Sequence, residues 1–341
     1  INRLYENGVE GNFLFADTSN IILIELKNLN RLPLTFQLDG VRFDATPTLD
    51  NNIISVKINS IINDYYFFIT ANKNISLSKN SENKITISFE NLDSVQIAIV
   101  VEKDDKILNS IFKKWDRFFI DKKMRIEKLL RESEVETDND RFNKALLWAV
   151  ASLDALITKQ EMKGIFAGLP WFNNYWGRDT FISLPGATYT LGNFNDAREI
   201  LLSFANAQDV DPSSKYFGRI PNRVTLNEKI YNTVDGTPWF IIQAYKYFNY
   251  SNDSDFIKII YPNLKIALEA AIKNHVDSLG FLTHEDAETW MDAKGPSGAW
   301  SPRDNRANDI QALWFRQLKY NSELALMMGD IETSKNADSL S

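Results

Sequence analysis

The chain has 341 residues, enough for two domains with a core each, and its 44% hydrophobic and 24% charged residues are those of an ordinary folded protein. A formal net charge of −7 argues against nucleic acid as a partner, because phosphate binding needs a basic face. There is no cysteine, which excludes disulfides, thiolate metal sites and a thiol nucleophile. Two histidines, His275 and His284, leave little room for a histidine metal site or a Ser-His-Asp triad, so acid–base chemistry falls to carboxylates. No metal and no cofactor is implied.

The chain opens Ile1-Asn2-Arg3 without an apolar signal segment. No stretch reaches the roughly 18 to 20 apolar residues that span a bilayer. The expectation is a cytoplasmic protein with no membrane partner. Up to residue 104 the sequence reads as short strands. Ile85-Thr86-Ile87-Ser88-Phe89 alternates with period two, and 21–26, 65–70 and 95–101 are β-branched or aromatic runs. Leu49-Asp50-Asn51-Asn52 reads as a turn. The predicted N-terminal domain, 1–104, is an antiparallel β-sandwich.

From Asp105 the period changes. Ile107, Leu108, Ile111, Phe112, Trp115, Phe118 and Phe119 fall on one helical face, and charged residues run on to Asp140. Residues 105–137 are therefore expected to be a helical linker. The best-patterned helix follows: Phe142, Ala145, Leu146, Ala149, Val150, Leu153, Leu156 and Ile157. Further helices are predicted over 179–191, 195–207, 234–250, 255–277 and 307–328, with Gly329 as a C-cap and a polar tail after it. Six helices with every second connection long suggest a toroid of helical hairpins. The long connections, 158–178, 208–233 and 278–306, would gather at one end, where function usually sits.

All eight tryptophans lie after residue 114. Trp115, Trp148 and Trp314 sit on helical faces and are read as core. Trp171, Trp176, Trp239, Trp290 and Trp300 lie in or beside the long connections. An indole there can stack on the C–H face of a sugar or simply fill a core, and chemistry alone leaves both open. The same segments carry Arg178-Asp179, Asn222-Arg223, Asn232, Asp235, Asp292 and Arg303-Asp304. A carboxylate beside a guanidinium holds two vicinal hydroxyls well, although each pair singly could be a helix cap or a surface ion pair.

At this point the residues match a family. Leu169-Pro170-Trp171-Phe172, then Trp176-Gly177-Arg178-Asp179-Thr180-Phe181-Ile182-Ser183-Leu184-Pro185-Gly186, resembles the signature of the amylo-α-1,6-glucosidase (glycogen debranching enzyme) family. Ile220-Pro221-Asn222-Arg223, Tyr231-Asn232-Thr233-Val234-Asp235 leading to Trp239-Phe240, and Thr289-Trp290-Met291-Asp292 continuing to Gln311-Ala312-Leu313-Trp314 follow in order. The resemblance spans about residues 140–325.

The resemblance implies a glucoamylase-like (α/α)6 toroid over 138–341 and an α-glucan oligosaccharide or polysaccharide as substrate. It implies inverting hydrolysis, which needs two carboxyls roughly 6.5–9.5 Å apart. It places the general acid at Asp292, with Trp290 and Trp300 available to dehydrate it and raise its pKa. Trp176, Arg178 and Asp179, with Asn222, Tyr231, Asn232, Asp235, Trp290 and Arg303, are the implied sugar contacts. Where many members have Val-Glu this chain has Asn308-Asp309, one methylene shorter. About half of the twelve-helix toroid is expected here, with the C-terminal half and the general base lying outside the chain. The expected activity is release of glucose from α-1,6 branch stubs. A glucoamylase-like α-1,4-glucosidase is the nearest alternative, and a non-catalytic glycan-binding module is a third reading.

Overall fold

The computed structural model describes residues 2–5, 8–16, 20–28, 34–38, 47–58, 65–79, 85–90, 92–160, 162–225 and 228–341. The chain divides into two compact units, 1–131 and 132–341.

The first unit holds ten strands: β1 (Asn2–Leu4), β2 (Val9–Phe15), β3 (Ile21–Asn28), β4 (Leu34–Leu38), β5 (Thr48–Asp50), β6 (Ile53–Ile58), β7 (Tyr65–Ala71), β8 (Ser76–Lys79), β9 (Ile85–Phe89) and β10 (Ser94–Glu102). They form a seven-stranded sheet in the order β1-β2-β3-β10-β7-β6-β5 and a three-stranded sheet in the order β4-β9-β8, antiparallel throughout. The Asn51-Asn52 turn is as read: both residues have positive φ, which suits the two-residue loop between β5 and β6.

Strand β10 shows why some strands here are runs rather than alternations. Val95, Ile97 and Ile99 face a core shared with Leu34, Ile87 and Phe89 of the smaller sheet. Ala98 and Val100 on its other side are covered by Leu108, Ile111 and Trp115. A strand buried on both faces has no polar side to display. Those last three residues come from α1 (Leu108–Ile111) and the start of α2 (Trp115–Glu132). The first part of the segment expected to be a helical linker, residues 107–119, is thus packed on the sheet, and its helix breaks after α1.

The second unit begins with α3 (Asp140–Leu156), whose Asn139 side chain accepts from Phe142 N as an N-cap. Next come β11 (Ile157–Lys159), β12 (Lys163–Gly168), β13 (Phe172–Trp176), α4 (Gly177–Ala187) and α5 (Phe194–Asn206). The chain continues through β14 (Arg223–Val224), β15 (Lys229–Ile230), α6 (Gly236–Ser251) and α7 (Ser254–Asn274). It closes with β16 (Lys294–Gly295), β17 (Gly298–Ala299), α8 (Asn308–Met327) and α9 (Ile331–Leu340).

Three differences from expectation have physical causes. Segments 158–178 and 208–233, read as loops, contain a five-stranded antiparallel sheet, β11 to β15 in order; its strands are short and interrupted by Gly and Pro, so no period survives. The polar tail forms α9, started by the Asp330 side chain accepting from Thr333 N and buried through Ala337. Trp148, read as core, is 76% exposed, whereas Trp115 and Trp314 are buried.

Helices α4, α6 and α8 pack one on the next, and α5 packs on both α6 and α7. Phe181, Phe204, Phe240, Tyr247, Phe256 and Leu264 make one core; Leu268, Ile310, Trp314 and Leu318 make a second with α9. Connections after α4, α6 and α8 are short, and those before them are long. The start of α4 and the start of α6 touch through Arg178 and Asp235, so the long segments share one end of the unit. Among the described residues no helix is long and apolar enough to cross a membrane.

Candidate active site

Arg178, in the first turn of α4, is the hub. Its Nε and Nη2 donate to Asp235 Oδ2 (2.5 Å) and Oδ1 (3.2 Å), a two-point fork. Nη1 donates to Asp292 Oδ2 (3.1 Å), and Nη2 also donates to the Thr289 carbonyl (2.9 Å). The exposures of the Arg178, Asp235 and Asp292 side chains, 14%, 4% and 37%, order the group from floor to mouth. Asp235 occupies the N-cap position of α6, but its carboxylate makes no capping bond and is committed to Arg178.

The Asp179 side chain is exposed to solvent, and its backbone carbonyl accepts from Ser183 Oγ (2.7 Å). Protein crowding nonetheless raises its pKa: desolvation comes first, its own backbone N–H and Arg178 pull the other way, and the negative charges of Asp292 and Asp235 add to the rise. Two carboxylates, Asp235 and Asp292, therefore contact one guanidinium, with the charge of Asp179 close by.

Gly177 explains part of the Trp-Gly-Arg-Asp pattern. Its N–H donates to the Asn222 carbonyl (2.6 Å), and a Cβ there would lie 2.5 Å from the Pro221 carbonyl oxygen. Only glycine lets segment 221–222 press against the start of α4. Asn222 is buried, donates from Nδ2 to Asn232 Oδ1 (3.2 Å), and among the described residues keeps Oδ1 without a partner. Trp176 Nε1 is likewise buried and without a partner among the described residues. The Arg223 guanidinium stands over the Trp176 ring at 5.4 Å and pairs with Glu228, so Arg223 serves the indole.

The remaining expected contacts are placed differently. Tyr231 donates its hydroxyl to the Ala207 carbonyl (2.7 Å) and stacks on Tyr216; burial, then Asp209, pushes its pKa up to about 12. Arg303 pairs with Asp309 (2.6 Å), so the shorter acid of the Asn308-Asp309 departure reaches a guanidinium of its own connection. Trp290 and Trp300 are 60% and 73% exposed. Neither indole is buried enough to enclose Asp292, whose direct partner is a cation. Sequence reading missed the Thr289 carbonyl and an Arg219–Glu288 ion pair (2.8 Å) just upstream of it. No periodicity relates residues 69 apart, and only the acid of Glu288 next to Thr289-Trp290-Met291-Asp292 was there to be noticed.

The fold defines a class. A bacterial glucoamylase solved with acarbose has the same fold with a TM-score of 0.67 at 13% identity, over 99% of this chain and 55% of that one. A chain provisionally described as a kojibiose phosphorylase from the human microbiome gives 0.61 at 12% identity, over 97% and 55%. This is a glucoamylase-like fold joining sheets to a helical unit. The family model for amylo-alpha-1,6-glucosidase matches residues 132–338, nearly the whole second unit, and the chain belongs to that family. The glycogen debranching enzyme of Saccharomyces cerevisiae is 36% identical over 95 residues, which are 26% of this chain and 6% of that protein. The chain thus spans a small part of its curated relative and about half of its structural neighbours.

Proposed function

We propose that this chain is the glucose-gripping and proton-donating part of an α-glucan glucosidase that removes α-1,6-linked glucose by an inverting, single-displacement reaction. The N-terminal sheets are then a β-sandwich preceding the first helical hairpins of an (α/α)6 toroid. The observation that carries the reading is the Arg178–Asp235–Asp292 cluster, built from three separate segments of the family-matched unit.

In this reading Arg178 and Asp179 grip the hydroxyls of the terminal glucose, while Asn222, Asn232 and Trp176 offer further polar contacts. Asp292 gives its proton to the glycosidic oxygen as the C1–O bond breaks. A water adds to C1 from the opposite face and loses its proton to a second carboxylate. Sugar hydroxyls arriving at Nη1 compete with the Arg178–Asp292 contact, and the sugar's bulk shields from water a carboxyl that is 37% exposed.

Asp292→Asn is the decisive variant. It is expected to lower kcat at least about 1,000-fold, within the range spanned by positioned acid–base groups, while acarbose still binds. Wild-type turnover by Asp292→Asn on isomaltosides would overturn the assignment. Turnover of maltosides alone by the unaltered protein would replace the α-1,6 reading with the α-1,4 one. Initial release of β-glucose, followed by NMR, is the expected stereochemistry.

A further inference from the structure

The connection that carries Asp292 has little structure of its own beyond the two-residue strands β16 and β17, and most of 290–306 is exposed. What holds it lies immediately upstream. The Arg219 and Glu288 side chains, 7% and 12% exposed, close a two-point fork with Nη1–Oε1 at 2.8 Å and Nη2–Oε2 at 3.0 Å. Arg219 Nη1 also donates to the Tyr231 carbonyl (3.1 Å), and the Tyr216 ring lies 5.4 Å from the guanidinium carbon.

The base of Arg219 is equally fixed. Gly218 has φ +85°, and a Cβ there would fall 2.3 Å from the Ala270 Cβ, so the backbone sits hard against α7. On the other side, the Glu288 carbonyl accepts from Val234 N (2.8 Å), one residue before Asp235. The next carbonyl along, that of Thr289, accepts from Arg178 (2.9 Å). Residues 288–289 are therefore tied to both segments that build the cluster, and Asp292 follows after only three residues, a reach of about 10 Å.

Resting on the reading of Asp292 as the proton donor, we propose that Arg219 and Glu288 are positioning residues: their buried fork sets where the Asp292 carboxyl stands relative to the Arg178–Asp235 pair, without touching sugar. A fork between guanidinium and carboxylate admits one planar geometry, whereas a single charge contact admits many. The Arg178–Asp292 contact cannot do this alone, because the substrate competes for Nη1. A misplacement of about 1 Å at a reacting group costs on the order of 100-fold in rate.

The test is Arg219→Met/Glu288→Leu, which removes both buried charges together and avoids stranding either. Turnover of isomaltosides should fall about 10- to 100-fold in kcat with KM within about threefold, since the gripping pair is untouched. Arg219→Lys keeps the charge, folds more safely and loses the fork; it should show the same split more weakly. Wild-type kcat in these variants, or a rise in KM with kcat unchanged, overturns the proposal. Amide exchange reads it without turnover: residues 289–293 should exchange faster in the variants while α4 stays protected, and unchanged exchange at 289–293 also overturns it. Asp292→Asn is assayed in parallel. Full activity there defeats both this inference and the proton-donor reading; loss there beside wild-type behaviour of the fork variants defeats the fork alone.

Discussion

Arg178 meets Asp235 57 residues away and Asp292 114 residues away, so the cluster exists only through folding. Its residue types were legible in sequence, as a guanidinium beside a carboxylate and later acids in segments rich in tryptophan. Their roles as partners were not. Glu288 makes the point. Burial would raise its pKa, but the Arg219 hydrogen bonds and charge, with the Glu285 N–H, bring it below the ordinary 4.5. A carboxyl depressed on folding stabilises fully above its unfolded value and loses that contribution as pH falls through the folded one. Glu288→Gln should therefore be less stable than wild type at pH 7, with the gap narrowing below about pH 4.5. Urea unfolding at pH 7, 5 and 3 measures it, and a gap independent of pH would show that the charge contributes nothing.

At the scale of elements, helical periodicity found α3 to α8 within a few residues, because each buries one stripe against a neighbour. It failed where context overrides pattern. Trp148 on α3, read as core, stands open, whereas Trp314 on α8 is 3% exposed and donates from Nε1 to the Gly280 carbonyl (3.1 Å). Trp314→Ala should cost about 3–5 kcal/mol, while Trp148→Ser should stay within about 0.5 kcal/mol. Denaturant titration of both separates the two environments; equal losses would mean that Trp148 is covered in solution. The sheet from β11 to β15 was invisible for a different reason. Strands as short as two residues carry no alternation, and they exist because they brace the approach to α4 and α6.

At the scale of the molecule, the boundary at 131/132 falls beside an exposed segment, 134–140, which separates α2 from the body of α3. Brief proteolysis should cut there first and leave two fragments, each retaining secondary structure by circular dichroism. Cleavage inside β2–β10 or α4–α8 at the same rate would contradict two independently packed units. The family match begins at the same boundary, so acarbose binding should travel with the second fragment.

What the sequence determined by itself was the change from period two to period three-and-a-half near residue 105, the family, and the kinds of side chain available for chemistry. These are local properties: a stripe of apolar residues or a run of motif letters needs no partner to be read. Tertiary structure decided which carboxylates share Arg178, that Tyr231 spends its hydroxyl on Ala207, that Trp290 stands open, and that Arg219 grips Glu288. Those outcomes depend on distances between chain segments tens of residues apart, set by the packing of α4, α6 and α8 rather than by any spacing along the chain.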